Sequence, residues 1–217
     1  MKTIIINLSP RTNGTCVMLS NYFKERLEAH KREDRVVTAN LYQHLKDMQK
    51  LLEDIKASET IVLIGPCYID TYPADTIYLL EQMSATEGVL HGQKLYGFIQ
   101  GGMPYVHTHE SGLKLLDNFA DENAVTWMGG FVMGGGAVLN GRSIDQAIGA
   151  KKLVPAIDTF VEHIAKGESS PDELYKNAAL KVPFLLAWIM SHVLSNMIKK
   201  QYREKGINYK APSPYLD

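Results

Sequence analysis

A chain of 217 residues carries 23 lysines and arginines against 24 aspartates and glutamates, a net charge of −1. This is room for one α/β domain with a sizeable core plus an appendage, and it excludes both the basic patch of a nucleic-acid binder and the acidic bias of a small electron carrier. Its two cysteines, Cys16 and Cys67, lie far apart without CxxC spacing, which argues against a disulfide framework and against a cysteine-ligated zinc or iron–sulfur site.

The chain begins almost at once on a short apolar strand, Thr3 to Asn7. Four apolar residues are too few for a signal-peptide core, so a cytoplasmic protein is expected. The strand runs into Ser9, Pro10, Arg11, Thr12, Asn13, Gly14 and Thr15, and then into a helix from Thr15 to Ala29 with an apolar face of Val17, Met18, Leu19, Tyr22, Phe23 and Leu27. Free backbone N–H groups and the positive end of the helix dipole meet at such a junction and attract an anion. Ser9, Asn13 and Thr15 add short donors, and Arg11 adds a charge. Neither GxxxxGK[ST] nor GxGxxG is present, so the loop is of the hydroxyl-and-amide kind typical of a flavin mononucleotide phosphate site. Ser, Pro, Asn and Gly are also ordinary turn formers, and the loop alone leaves a plain turn equally open.

Strands and helices then alternate. Arg35 to Asn40 reads as a second strand, Leu45 to Ala57 as an amphipathic helix, and Glu59 to Gly65 as a central parallel strand covered on both faces. A helix over Ala74 to Met83, a strand over Lys94 to Gln100, a helix over Ser111 to Phe119 and a fifth strand within Ala124 to Val132 follow. Ser143, with Gln146 as capping-box partner, opens a helix to about Lys166. Such alternation implies a parallel, doubly wound α/β sheet. Ligands of these sheets bind beyond the carboxyl ends of the strands, so the loops at 8–16, 66–73 and 101–110 are the ones that matter. The second places Tyr68 and Tyr72, whose flat apolar faces suit the lining of a planar ring system, between Pro66 and Pro73; the third opens on Gly101, Gly102 and Met103, where paired glycines permit close backbone approach. Each is compatible with a plain turn, but all three share one sheet edge.

With these loops, residues 1–165 resemble the flavodoxin-like NAD(P)H-dependent FMN reductases and quinone reductases. Their first motif, G-S-P-R-x-x-G/S-N-T, stands here as Leu8-Ser9-Pro10-Arg11-Thr12-Asn13-Gly14-Thr15-Cys16. Leu8 replaces the usual glycine and Cys16 the usual threonine hydroxyl, which removes one donor while keeping its amide. The resemblance implies a five-stranded sheet of order 2-1-3-4-5 and FMN as cofactor. It implies phosphate contacts from Ser9, Arg11, Asn13, Gly14, Thr15 and Cys16, and ring contacts from Pro66, Cys67, Tyr68, Ile69 and Asp70 and from Gly101, Gly102 and Met103. NADH or NADPH is then the electron donor, a quinone, nitro, azo or similar small molecule the acceptor, and a homodimer the expected assembly. No side chain need act as a catalytic acid or base. A flavodoxin-like electron carrier without turnover of its own, or a non-redox binding module that has lost flavin, are the other readings.

His107, His109 and Glu110 are expected to be polar lining or surface rather than metal ligands. The run Met128 to Gly141 reads as the end of strand five and a flexible loop, in which Gly134, Gly135 and Gly136 either admit a substrate or nicotinamide or form a disordered connection. The domain division falls at 166/167. Beyond it, Ser170-Pro171-Asp172-Glu173 reads as an N-cap, N1 proline and N3 glutamate. Phe184 to Ile198 is strongly apolar but too short for an integral membrane span. Ser191, His192, Ser195, Asn196, Lys199 and Lys200 give it a narrow wet stripe on an otherwise buried helix, which must cover a dimer partner, the rim of the site or, at the margin, a membrane surface. Tyr209 to Leu216 is a proline- and tyrosine-containing tail.

Overall fold

Five parallel strands make one sheet in the order β2-β1-β3-β4-β5: β1 (Lys2–Asn7), β2 (Arg35–Asn40), β3 (Thr60–Pro66), β4 (Gln93–Gln100) and β5 (Val125–Met133). The computed structural model describes residues 2–30 and 35–208, so the tail from Tyr209 to Leu216 lies outside the described residues. Every residue of β3 is buried, as a continuous apolar run at the centre of a doubly covered sheet requires.

The helices are α1 (Thr15–His30), α2 (Gln49–Lys56), α3 (Ala74–Ala85), α4 (Glu110–Glu122), α5 (Ala150–Lys166), α6 (Glu173–Ala178) and α7 (Phe184–Glu204). With this strand order, right-handed crossovers put α1 on one face of the sheet and α2, α3 and α4 on the other. Alternate residues of β4 show the two faces. Tyr96 and Phe98 meet Phe160 of α5, and Phe98 also meets Phe23 of α1. The α-carbon of Gly97 instead lies under Leu113 and Leu116 of α4, with no room for a side chain.

Between β4 and β5 the register slips: Leu95 pairs with Trp127, but Gly97 pairs with Gly130. The extra residue makes a bulge at Met128–Gly129, where Gly129 has φ +99° and a Cβ would stand 2.2 Å from the carbonyl oxygen of Ser170. The amide of Ser170 donates to the Met128 carbonyl at 2.7 Å. Ser170 is therefore a buried strap on the β5 edge, and α6 starts three residues later without a side-chain cap, contrary to the expected Ser170 cap.

Two other expected helices are shorter. The Asp47 carboxylate accepts from the Gln49 amide at 3.0 Å, so α2 begins at Gln49 rather than Leu45, behind a separate 3-10 turn at Leu41–Gln43. Ser143 does cap a turn, accepting from the Asp145 amide, but that turn is 3-10 and ends when Ala147 swings to ψ 146°. The long helix α5 starts only at Ala150.

Contacts divide the chain into two units, Met1–Leu180 and Lys181–Asp217. The first unit runs past Lys166 because Tyr175 and Ala178 of α6 are buried, with the Tyr175 ring 6.1 Å from Phe131. In the second unit every described side chain of α7 is exposed, where an apolar helix is expected to be covered; no other helix exists among the described residues of that unit. No helix among the described residues is long and apolar enough to cross a membrane.

Candidate functional site

The site is built where the carboxyl ends of β1, β3 and β4 meet, and its first part is the loop after β1. The buried Asn7 carboxamide accepts from the Ser9 amide at 2.9 Å, and the Ser9 hydroxyl accepts from the Arg11 amide at 3.2 Å. This pair of side-chain turns bends the chain from strand into α1. Leu8 is fully buried, with its amide on the Ile64 carbonyl, so the unusual residue at this position serves the core. Among the described residues, the amides of Thr12, Asn13, Gly14, Thr15 and Cys16 donate to no protein acceptor. Five unpaired donors at the head of a sixteen-residue helix line a concavity of the kind that suits an anion.

Cys16 lies within this loop, 1% exposed, with the Gln100 amide donating to its sulfur at 3.5 Å. Burial pushes its thiol up to about 11 from an ordinary 9.0, partly offset by the hydrogen bonds from Gln100 and Ser9. Cys16 is thus a neutral thiol at neutral pH and lends the loop only its backbone. Because the folded value is raised, the associated stability is complete below pH 9 and is lost as pH rises towards 11. At about 1.4 kcal/mol per pH unit, the loss reaches roughly 2–3 kcal/mol. Urea unfolding at pH 8 and pH 10.5 should show wild type losing more stability than Cys16→Ala; equal losses would place the thiol outside the buried loop.

In the second loop, Cys67 donates its amide to the Gln100 carbonyl at 2.6 Å and its thiol faces the Thr108 carbonyl at 3.8 Å. Burial, followed by the Asp70 carboxylate, raises the Cys67 thiol above its usual range. Tyr68 and Thr71 close a tight hairpin, with the Tyr68 amide on the Thr71 carbonyl at 2.7 Å. Its two tip residues, Ile69 (φ 52°) and Asp70 (φ 70°), hold left-handed backbone without being glycine. Such conformations cost about 1–3 kcal/mol each and persist only where surrounding structure imposes them. Here the Ser111 hydroxyl donates to the Asp70 carbonyl. Tyr68 and Ile69 are left exposed at the edge, whereas Tyr72 is not the ring-lining aromatic that the sequence suggests: it is 2% exposed, wedged between the α-carbons of Gly65 and Gly112.

In the third loop the imidazole of His109 packs directly on Gly101, where a Cβ would stand 2.4 Å away, and its Nε2 bonds the Met103 carbonyl at 3.1 Å. His109 is therefore neither lining nor surface but a buried brace. His107 is exposed and stacked on Tyr105, ring centroids 5.7 Å apart. Met103 is exposed beside Gly102, where a Cβ would meet only the Ala137 methyl, at 3.8 Å.

The part that sequence reasoning missed is the chain after β5. Residues 134–142 are not a loose connection but a folded turn containing a 3-10 helix, Gly136–Leu139. It is tied to the first loop at three points: the Thr15 hydroxyl donates to the Gly136 carbonyl at 2.9 Å, Arg11 Nη1 reaches Asn140 Oδ1 at 3.3 Å, and Gly141 packs on the Asn13 carbonyl. It is tied to the third loop by Gly135 N–H to the Met103 carbonyl and Ala137 N–H to the Gly101 carbonyl. One turn thereby fixes the spacing between the amide concavity and the apolar edge. Its signal was present as Asn140-Gly141, a pair suited to consecutive left-handed residues, here at φ 49° and 82°.

The model of the NADPH-dependent FMN reductase family matches residues 1–142 and ends with this turn. The chain belongs to that family. It is thus an NAD(P)H-dependent flavin oxidoreductase of flavodoxin-like fold. Among solved structures it is similar to an NADH:FMN oxidoreductase in its apo form (TM-score 0.60, 14% identity, 80% of this chain and 93% of that one). It is also similar to an azoreductase from Bacillus anthracis str. Sterne (0.57, 13%, 77% and 99%). A third is an FMN-dependent NADH-azoreductase from Bacillus anthracis str. Ames Ancestor in complex with FMN (0.55, 14%, 77% and 99%). At such identities these likenesses carry the fold alone. No curated protein matches the sequence.

Proposed function

We propose that this reductase binds FMN across the three loops and the 134–142 turn, takes electrons from NADH or NADPH, and passes them to a quinone, nitro, azo or similar small acceptor. The observation that carries the reading is the run of five unpaired amides from Thr12 to Cys16 beside the exposed Arg11. An unpaired run of this kind fits a phosphate group, and the exposed side chains of Tyr68, Ile69 and Met103 at the same sheet edge fit a planar apolar ring.

In this reading Arg11 neutralises the phosphate while the amides of Asn13, Gly14, Thr15 and Cys16 donate to its oxygens. Ser9 shapes the loop through its hydroxyl. The Thr15 hydroxyl is already committed to Gly136, so Thr15 contributes backbone only. Pro66, Cys67 and Asp70 set the hairpin that carries Tyr68 and Ile69, and Gly101 and Gly102 leave the backbone of the third loop open to close approach. Bound FMN supplies the hydride and electron chemistry. His109 takes no proton-transfer role, since both of its ring nitrogens face loop atoms, Met103 O and Thr108 Oγ1.

The test is retention of FMN by the purified chain after gel filtration, read from absorbance at about 375 and about 450 nm, followed by NAD(P)H oxidation with a panel of acceptors. Retained flavin with no turnover on any acceptor would favour an electron carrier; failure to retain flavin would favour a module that has lost it. Arg11→Ala should weaken FMN binding roughly 10- to 100-fold, the worth of one charged hydrogen bond. Its melting temperature should not move, because Arg11 is exposed and makes one weak protein contact. Unchanged affinity would remove Arg11 from the phosphate site.

A further inference from the structure

We propose that the 181–208 segment seats α7 on an anionic lipid surface. The near-neutral charge of the whole chain conceals a division. Residues 1–180 hold 17 lysines and arginines against 22 aspartates and glutamates. Residues 181–208 hold five cations, Lys181, Lys199, Lys200, Arg203 and Lys205, against the single carboxylate of Glu204. Four of the five lie at the carboxyl-terminal end of α7 or just beyond it.

The same helix exposes large apolar side chains: Leu185, Trp188, Ile189, Val193, Leu194, Met197 and Ile198 are each at least 45% exposed. At about 100° per residue, Val193, Leu194, Met197 and Ile198 fall on one side of its second half. His192, Ser195, Asn196, Lys199, Lys200 and Arg203 fall on the other. In the first half, Leu185, Trp188 and Ile189 extend the apolar surface round to the cationic side. A groove on a protein covers one stripe of a helix and leaves the rest to water. Hydrocarbon and headgroups together suit a helix that is apolar around its first turns and amphipathic with cations in its last ones.

Charge selects between a lipid surface and a second copy of the helix. A second copy packed on the Val193, Leu194, Met197 and Ile198 side would leave Lys199, Lys200 and Arg203 on the far side, drawing nothing from a partner helix that carries no carboxylate between Lys181 and Arg203. An anionic bilayer meets all the cations with opposite charge. The helix is not apolar enough to cross the bilayer, which leaves an orientation in the interface plane, with Trp188 at headgroup level.

The experiment is co-sedimentation of the full chain with phosphatidylcholine vesicles with and without phosphatidylglycerol. Binding is expected on the anionic vesicles at about 0.1 M salt, with weaker binding on neutral vesicles and at about 0.5 M salt, where screening shortens the reach of the cations. Each cation near such a surface is worth about fivefold in partitioning, so Lys199→Gln/Lys200→Gln should lower it on the order of 25-fold. Trp188→Ser/Val193→Ser should lower it on both vesicle types. These residues are exposed, and an unchanged circular dichroism melt identifies variants that keep the fold. Equal partitioning onto neutral and anionic vesicles, no sedimentation with either, or full binding by the lysine double variant would overturn the proposal. So would a lipid-independent dimer that Val193→Glu splits, which would assign the apolar face to a second copy.

Discussion

Phe160→Ala is expected to destabilise the Met1–Leu180 unit by about 3–5 kcal/mol, a large share of the 5–15 kcal/mol that holds a typical domain together. Phe160 projects from α5 into the face of the sheet shared with α1. Its ring centroid lies 5.7 Å from Phe131, 6.0 Å from Phe23, 6.1 Å from Tyr96 and 6.3 Å from Phe98. These four rings come from β5, α1 and β4, and Phe98 and Phe131 also stack 5.3 Å apart. Truncation at Phe160 therefore opens a cavity where α1 and α5 meet the sheet, walled by rigid aromatic rings that collapse into it poorly. The measurement is urea unfolding followed by far-ultraviolet circular dichroism. A loss below about 1 kcal/mol would mean that α5 does not close this face. Phe160→Leu, which keeps most of the volume, should recover more than half of the loss.

The five strands and the loops at the sheet edge were legible because they rest on local signals, while the strand order came from the family resemblance. Apolar runs of 5–7 residues alternate with amphipathic stretches, and the Ser9-to-Thr15 and Pro66-to-Pro73 sequences carry their turn chemistry in adjacent residues. What was not legible depends on partners distant in the chain. Tyr72 reads as a second ring-lining aromatic beside Tyr68, yet its pocket is made by Gly65 and Gly112, which sequence spacing does not bring together. His109 reads as a polar loop residue until Gly101 supplies the flat backbone on which it packs. The glycines from 134 to 136 read as a breaker, and only the Thr15–Gly136 contact, 121 residues apart, shows that they fold against the first loop. Helix starts failed for a local reason: Asp47 and Ser143 cap turns in competition with the helices expected to run through them.

Gly141→Ala should weaken FMN binding at least tenfold and cost the fold about 1–3 kcal/mol, with Gly141→Val worse on both counts. Gly141 sits at φ +82°, and a Cβ there would stand 2.1 Å from the Asn13 carbonyl oxygen, a distance that no side-chain rotation relieves because the obstacle is backbone. Either the 134–142 turn lifts or the Asn13 peptide moves. In the first case Arg11 loses Asn140 and Thr15 loses Gly136; in the second the amide concavity itself is deformed. Both routes damage the proposed phosphate site while leaving the sheet and its aromatic core in place. Gly88→Ala separates this effect from left-handed strain alone. Its φ is +70°, but a Cβ there meets only the flexible end of Lys56, so it should cost about 1 kcal/mol of stability and nothing in FMN affinity. Comparing the two variants by flavin fluorescence titration and urea unfolding isolates the contribution of the turn. If Gly141→Ala binds FMN as tightly as Gly88→Ala, the turn after β5 braces the fold without shaping the site, and the amides of the first loop must hold their spacing through Asn7 and Ser9 alone.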